Sequence, residues 1–157
     1  MIAEAVAALA LVPHRAPTPP VGARLGTLAI PRIGVRTPIY EGTSGRVLAR
    51  GAGHYEGTGL PGSRRTVAIA GHRVSHTRPF FRLHRVRRND WIIARTRSGT
   101  YRYRVYAMRV VRPKRGLWVL NGRRARRLVL TTCHPPGTAR FRLVVFARQV
   151  DRPSPRR

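Results

Sequence analysis

From Thr100 to Val111 the chain reads TYRYRVYAMRVV, with Tyr101, Tyr103, Val105, Ala107 and Val111 at odd positions and Arg102 and Arg104 between them. A period of two sends alternate side chains to opposite faces of an extended backbone, so the segment predicts a strand with one face on a core. Shorter runs of similar character follow turn signals elsewhere: TLAIPRIG (27–34), VRTPIY (35–40), TVAIAG (66–71), DWIIART (90–96), RLVLTTC (127–133) and RFRLVVFARQV (140–150). Helical signal is confined to a turn or two at SGRVLARG (44–51) and around PFFRLHRV (79–86), and no internal repeat is visible. The pattern predicts an all-β domain of seven or eight strands, closed or nearly closed into a barrel, the arrangement that removes exposed sheet edges.

The flanks differ from this core. Residues 1–12 are apolar from Ile2 to Val12 apart from Glu4, but eleven helical residues cover only about 16 Å of a hydrocarbon layer about 30 Å thick. The basic n-region of a secretion signal is missing. The segment is expected to be the outer end of a membrane anchor helix; an amphipathic or frayed terminus is the alternative. Residues 13–24, which include HRAPTPPVGAR, are Pro-rich and aperiodic and read as an extended linker. The folded domain is expected over residues 25–150, and DRPSPRR (151–157) as a flexible tail. Within the domain, GAGHYEGTGLPGSRR (51–65) reads as a long connection whose five glycines permit tight turns, and loops of that kind often carry function.

Composition narrows the chemistry. A chain of 157 residues with 42% apolar content can bury a core as one domain. Thirty-two Lys+Arg against five Asp+Glu give a formal charge of +27, which by itself suggests a polyanionic partner, nucleic acid or an anionic surface. The arginines are scattered, however, with clusters only at RVRR (85–88) and RRARR (123–127), neither interleaved with aromatics as in single-strand binders. A solvated arginine-rich surface is the plainer reading, and no specific nucleic-acid binding is expected. With Glu4, Glu41, Glu56, Asp90 and Asp151 as the whole supply of acids, a paired-carboxylate hydrolase or an oxygen-ligand metal site is hard to build.

The single cysteine, Cys133, can form no internal disulfide and no Cys-based zinc site, so it is either core filler or a reactive thiol. A thiol nucleophile needs a base, usually histidine. Of six histidines, His72 ends the strand-like TVAIAG as Cys133 ends LVLTT, and two strand ends at one barrel rim would meet. An ordinary loop histidine is the competing reading. His72 and His76 are four apart, but the turn residues and Pro79 nearby give no helix to make them a metal pair. His84 and His134 could line the site. Acyl transfer also needs a cation or donor for the oxyanion. Arg140 and Arg142 share one face of RFRLVVFA, with Phe141, Leu143 and Val145 on the other; either could serve, or both could face solvent.

Taken together, AGHR at one strand end, LTTCHP at another, and an arginine leading the apolar strand RLVVFA resemble the sortases, cysteine transpeptidases of the Gram-positive cell surface. LAIPRIGVRTPIYEG resembles their opening strands, VLARGAGHYEGTGLPG the segment before the histidine, and VAIAGHRVSHTRPFFRLHRVRRND the histidine region. The resemblance covers roughly residues 25–150, and the GHR and TTCHP wording is most similar to class E, the actinobacterial housekeeping type. It implies a closed eight-stranded β-barrel with one or two short helices, needing no cofactor and no metal. It implies His72 as proton donor and acceptor, Cys133 as nucleophile and Arg142, rather than Arg140, as the oxyanion and substrate contact. Thr132 matches a position that helps form the oxyanion site; Arg140, His134 and His84 are carried as further substrate-binding candidates. Class E relatives often have an acid where this chain has His84. The implied reaction cleaves an LPxTG-like or LAxTG-like sorting signal between Thr and Gly. The implied partners are surface proteins bearing such signals and an amine acceptor, a cell-wall precursor peptide or a pilin lysine, at the extracytoplasmic face of the membrane, where an anionic lipid surface is a further expected neighbour.

Overall fold

A computed structural model describes residues 17–114, 120–122 and 126–150. The expected anchor at 1–12 and tail at 151–157 lie outside the described residues, as does most of the RRARR cluster. The described chain forms eight strands, β1 (Arg24–Ile30), β2 (Val35–Glu41), β3 (Ala52–His54), β4 (Val67–Ala70), β5 (Trp91–Thr96), β6 (Gly99–Val111), β7 (Arg127–His134) and β8 (Phe141–Gln149). They close a barrel in the order β1-β2-β3-β4-β7-β8-β6-β5. Among the described residues helical structure comprises α1 (Gly45–Leu48), whose first turn is capped by the Ser44 hydroxyl, 3₁₀ turns at Pro31–Ile33 and Leu83–Arg85, and Leu120.

Alternation decides which side chains fill the barrel. Leu28, Ile30, Ile39, Val67, Ile69, Ile92, Ala94, Tyr103, Leu128, Leu130, Leu143 and Val145 point inward and form one buried cluster with Phe80 and Leu83 from the β4–β5 connection. The intervening positions of β7 and β8 are apolar too: Val129, Val144 and Phe146 form a second cluster on the outer face, covered by Tyr106, Ala107, Val111 and Leu120.

Two expectations are corrected. The connection 51–65 contains β3, a strand of three residues that pairs parallel with β2 and antiparallel with β4. In β6 the single period does not run to Val111. A bulge between Val105 and Ala107 changes the phase, so Tyr101, Tyr103 and Val105 face the core while Ala107 and Val111 join the outer cluster.

Much of the arginine content has a local use. Trp91, Arg104, Arg148 and Arg127 stand in one register row across β5, β6, β8 and β7. Arg104 and Arg102 each lie 4.3 Å from the Trp91 ring centroid, and Arg148 lies 4.8 Å from that of Tyr106. Guanidinium groups thus shield ring faces that the sheet leaves outside the barrel.

At the end where the chain enters the barrel, His54 and Glu41 form a buried pair. Nδ1 of His54 is 2.8 Å from Glu41 Oε2, and Nε2 donates to the Gly59 carbonyl at 2.7 Å. The pair ties β2 to β3 and both to the loop that follows.

Candidate functional site

The site is built by register. β4 runs parallel to β7, with Ala70 opposite Thr131. One residue on, the Gly71 amide donates to the Thr131 carbonyl (3.1 Å) and the Thr132 hydroxyl donates to the Gly71 carbonyl (2.7 Å). The ladder stops there, so His72 leaves the end of β4 two residues past Ala70 as Cys133 lies two residues past Thr131, and the His72 carbonyl accepts from the Phe80 amide at 3.2 Å. On the other side β8 is antiparallel, and Arg142 is the residue directly opposite Cys133. Cys133 and Arg142 therefore make one row, and His72 follows the strand end on the other side of β7. Residues in register share a face. Cys133 has the phase of Val129 and Thr131, so the row lies on the outer side of the barrel wall.

Each member of the row is half-buried. The His72 pKa is lowered below the ordinary 6.5, first by burial and second by the neighbouring His76, whose ring centroid is 5.4 Å from that of His72. His76 holds a left-handed backbone with φ of 53°, uncommon outside glycine, which turns its ring back toward His72. Arg142 donates through Nη1 to the carbonyls of Ala139 (3.0 Å) and Phe141 (3.1 Å), and among the described residues its Nε and Nη2 have no hydrogen-bond partner.

The remaining sequence candidates fall elsewhere. Arg140 is exposed in the turn before β8, its guanidinium 6.0 Å from the Phe141 ring centroid, and it does not enter the row. Thr132 points inward, 3% exposed, with its hydroxyl committed to Gly71. His134 ends β7, next to Cys133, and His84 sits in the 3₁₀ turn; both rings contact Arg73.

Arg73 and Tyr55 are the neighbours that sequence reasoning missed. Arg73 is buried and donates to the Cys133 carbonyl at 2.9 Å. Nothing marks it among so many arginines except its place directly after His72. Tyr55 bonds the Thr131 hydroxyl at 2.8 Å and so covers the outer face one step along β7 from the cysteine. From Tyr55 an open cleft of about 640 Å³ continues past Thr58, Arg65 and Leu120. Among the described residues no group of three or more His, Cys, Asp or Glu could hold a metal ion.

A thiol opposite a guanidinium, with an imidazole at the end of the neighbouring strand, is the set of groups that acyl transfer uses: a nucleophile, an oxyanion partner and a proton carrier. A family model described as the Sortase domain matches residues 28–150. The chain is similar to Sortase D of Bacillus subtilis, 27% identical over 135 residues that make up 84% of this chain and 67% of that protein. It is also similar to Sortase SrtE1 of Streptomyces coelicolor, 31% identical over 145 residues, covering 83% of this chain and 41% of that protein. The chain thus spans less than half the length of this Streptomyces relative. Among solved structures, sortase C1 from Streptococcus suis superposes with a TM-score of 0.77 at 31% identity, covering 83% of this chain and 74% of that one. Sortase A from Corynebacterium diphtheriae gives a TM-score of 0.76 at 31% identity, covering 87% of this chain and 63% of that one.

Proposed function

This chain belongs to the sortase family, and from that premise we propose that it is a cysteine transpeptidase in which Cys133 is the nucleophile, His72 the proton carrier and Arg142 the oxyanion contact. The observation that supports this reading is Cys133 directly opposite Arg142 in the β7–β8 ladder, at the end of β7 beside which β4 runs parallel and delivers Gly71 and then His72.

The substrate is a sorting signal of the LPxTG or LAxTG kind, laid along the outer face past Tyr55 toward the cleft. Cys133 gives its S–H proton to His72 as Sγ attacks the Thr carbonyl carbon of the Thr–Gly bond, and the N–H groups of Arg142 take the developing negative oxygen. His72 gives its proton to the Gly nitrogen as the C–N bond breaks, leaving a thioacyl enzyme. An amine then enters, loses a proton to His72 and attacks the thioester carbon. The new amide leaves, and the thiol is restored. The acceptor amine belongs to a cell-wall precursor peptide or a pilin, and the enzyme works at the extracytoplasmic membrane surface of a Gram-positive bacterium. Among the described residues no helix is long and apolar enough to cross a membrane.

Incubation with LPxTG and LAxTG peptides and a glycine amine, read by mass spectrometry, should give the transfer product and a thioacyl adduct on Cys133. Both should vanish in Cys133→Ala; turnover persisting in that variant rules out the assignment of the nucleophile.

A further inference from the structure

The parallel ladder between β4 and β7 ends just before it reaches His72 and Cys133. Its last rung here is the Gly71 amide on the Thr131 carbonyl. In a continuing ladder the next donor would be the amide of residue 73, and its acceptor the carbonyl of Cys133. The chain instead bends away after Gly71, and the His72 carbonyl accepts from the Phe80 amide at 3.2 Å. The Cys133 carbonyl is nevertheless satisfied, because the side chain of residue 73 occupies the place its own backbone has left: Arg73 Nη1 donates to it at 2.9 Å.

That guanidinium is held on every side. Nε donates to the Phe81 carbonyl at 3.1 Å, Nη2 to His84 Nδ1 at 3.1 Å, and Nη1 leans on His134 Nδ1 at 3.4 Å. The residue is 3% exposed, and none of its acceptors is a carboxylate. Burial pulls its pKa down, while the nearby Cys133 opposes that shift. A buried cation surrounded only by neutral acceptors is an unfavourable way to fill space, and a chain with this many surface arginines had no need to bury one for solubility. The two histidines can accept from it only as neutral rings. For His84 that state is favoured, its pKa being lowered by burial and then by Arg73 and Arg85.

We propose that Arg73 is a positioning residue of the transpeptidation reaction, a side-chain rung that replaces the missing backbone rung and holds the Cys133 thiol in place beside the strand end that carries His72. The inference rests on the transpeptidase reading above. Arg142 faces the reacting atoms; Arg73 acts from behind them, through the backbone of the nucleophile.

Arg73→Met and Arg73→Lys are compared with the parent and with Arg95→Met, an exposed β5 arginine remote from the row. The reaction is the peptide-to-glycine-amine transfer, with rates expressed per folded molecule. Loss of the rung displaces the thiol by a fraction of an ångström to one ångström, so kcat of Arg73→Met should fall about thirtyfold with KM within about twofold. Arg73→Lys keeps the charge but cannot span the Cys133 and Phe81 carbonyls with one fork, and should recover only part of the loss. Arg95→Met should match the parent. Hydrogen exchange at the amides of residues 131–134 should quicken about tenfold in Arg73→Lys with β6 unchanged. A folded Arg73→Met with parental kcat overturns the proposal, as does a fall in melting temperature alone. If Arg73→Met does not fold, Arg73→Lys decides by the same criterion. A parent without transfer activity sinks the transpeptidase reading instead, and the exchange measurement then decides the rung by itself, unchanged exchange rejecting it.

Discussion

Tyr55 and Thr131, seventy-six positions apart, join their hydroxyls at 2.8 Å on the outer wall of the barrel. Thr131 is 4% exposed, so its oxygen has little access to water once the partner is gone. Tyr55→Phe should therefore lower the unfolding free energy by about 1–2 kcal/mol, read from urea denaturation, with most of the ring's packing kept. It should also loosen the approach to Cys133 along β7, raising KM for a sorting peptide more than it lowers kcat.

The proton balance of His72 can be tested separately. Its pKa lies below 6.5, with burial the larger cause and His76 the smaller. Removing the second imidazole by His76→Asn, a residue that tolerates the left-handed backbone, should raise the His72 pKa while leaving it under 6.5. An NMR titration of the His72 ring reads the shift directly. The sign for stability follows from linkage: in the window between the lowered folded pKa and 6.5 the unfolded chain binds more protons than the folded one. The contribution of His72 to stability is then intact above pH 6.5 and lost as pH falls through the folded pKa. His76→Asn should make that loss smaller.

Gly71 has no room for a side chain. An added Cβ would stand 2.6 Å from Phe80 Cδ2 and 2.8 Å from Cε2, and Phe80 is 0% exposed inside the barrel. Gly71→Ala should destabilise by about 1–3 kcal/mol through overpacking. Because Gly71 directly precedes His72, kcat should drop even at temperatures where the variant is fully folded, which circular dichroism and peptide turnover measured together can show.

The Glu41–His54 pair predicts a different outcome for single and double changes. With side chains 1% and 2% exposed, Glu41→Leu leaves the His54 Nδ1 without its hydrogen-bond partner and should cost about 1–3 kcal/mol. Adding His54→Phe removes the stranded polar group and should recover a large part of that loss. A denaturant double-mutant cycle gives the coupling; additive effects would show that the pair contributes nothing beyond packing.

Most strands were legible because their composition is β-branched and aromatic and their period is two. β3 was not: Ala52, Gly53 and His54 carry no strand signal, and Gly53 is there for closeness, since an added Cβ would collide with the Gly42 carbonyl at 2.3 Å. The phase change in β6 was invisible for a related reason. Tyr106 and Ala107 are both apolar, so a bulge between Val105 and Ala107 leaves no gap in the pattern. At the site, Cys133 and His72 stood out by rarity and by their places at strand ends. Arg73 could not, because burial of one arginine among many is a tertiary fact. His84 and His134 were noticed as neighbours of the chemistry, but their contact is with Arg73.

The crossing from β4 to β7 has a consequence in time. Val67 pairs with Leu128 across a long stretch of chain, whereas β7 and β8 are joined by one turn and can zip locally. Parallel pairing over such a separation is a late and slow event, since loop closure must come before any reward from contacts. Cys133 and Arg142 can thus pair early, but the end of β4 that leads into Gly71 and His72 is fixed only when the seam shuts. In a refolding experiment, turnover should be regained last of all signals, making each active molecule a record of a completed barrel.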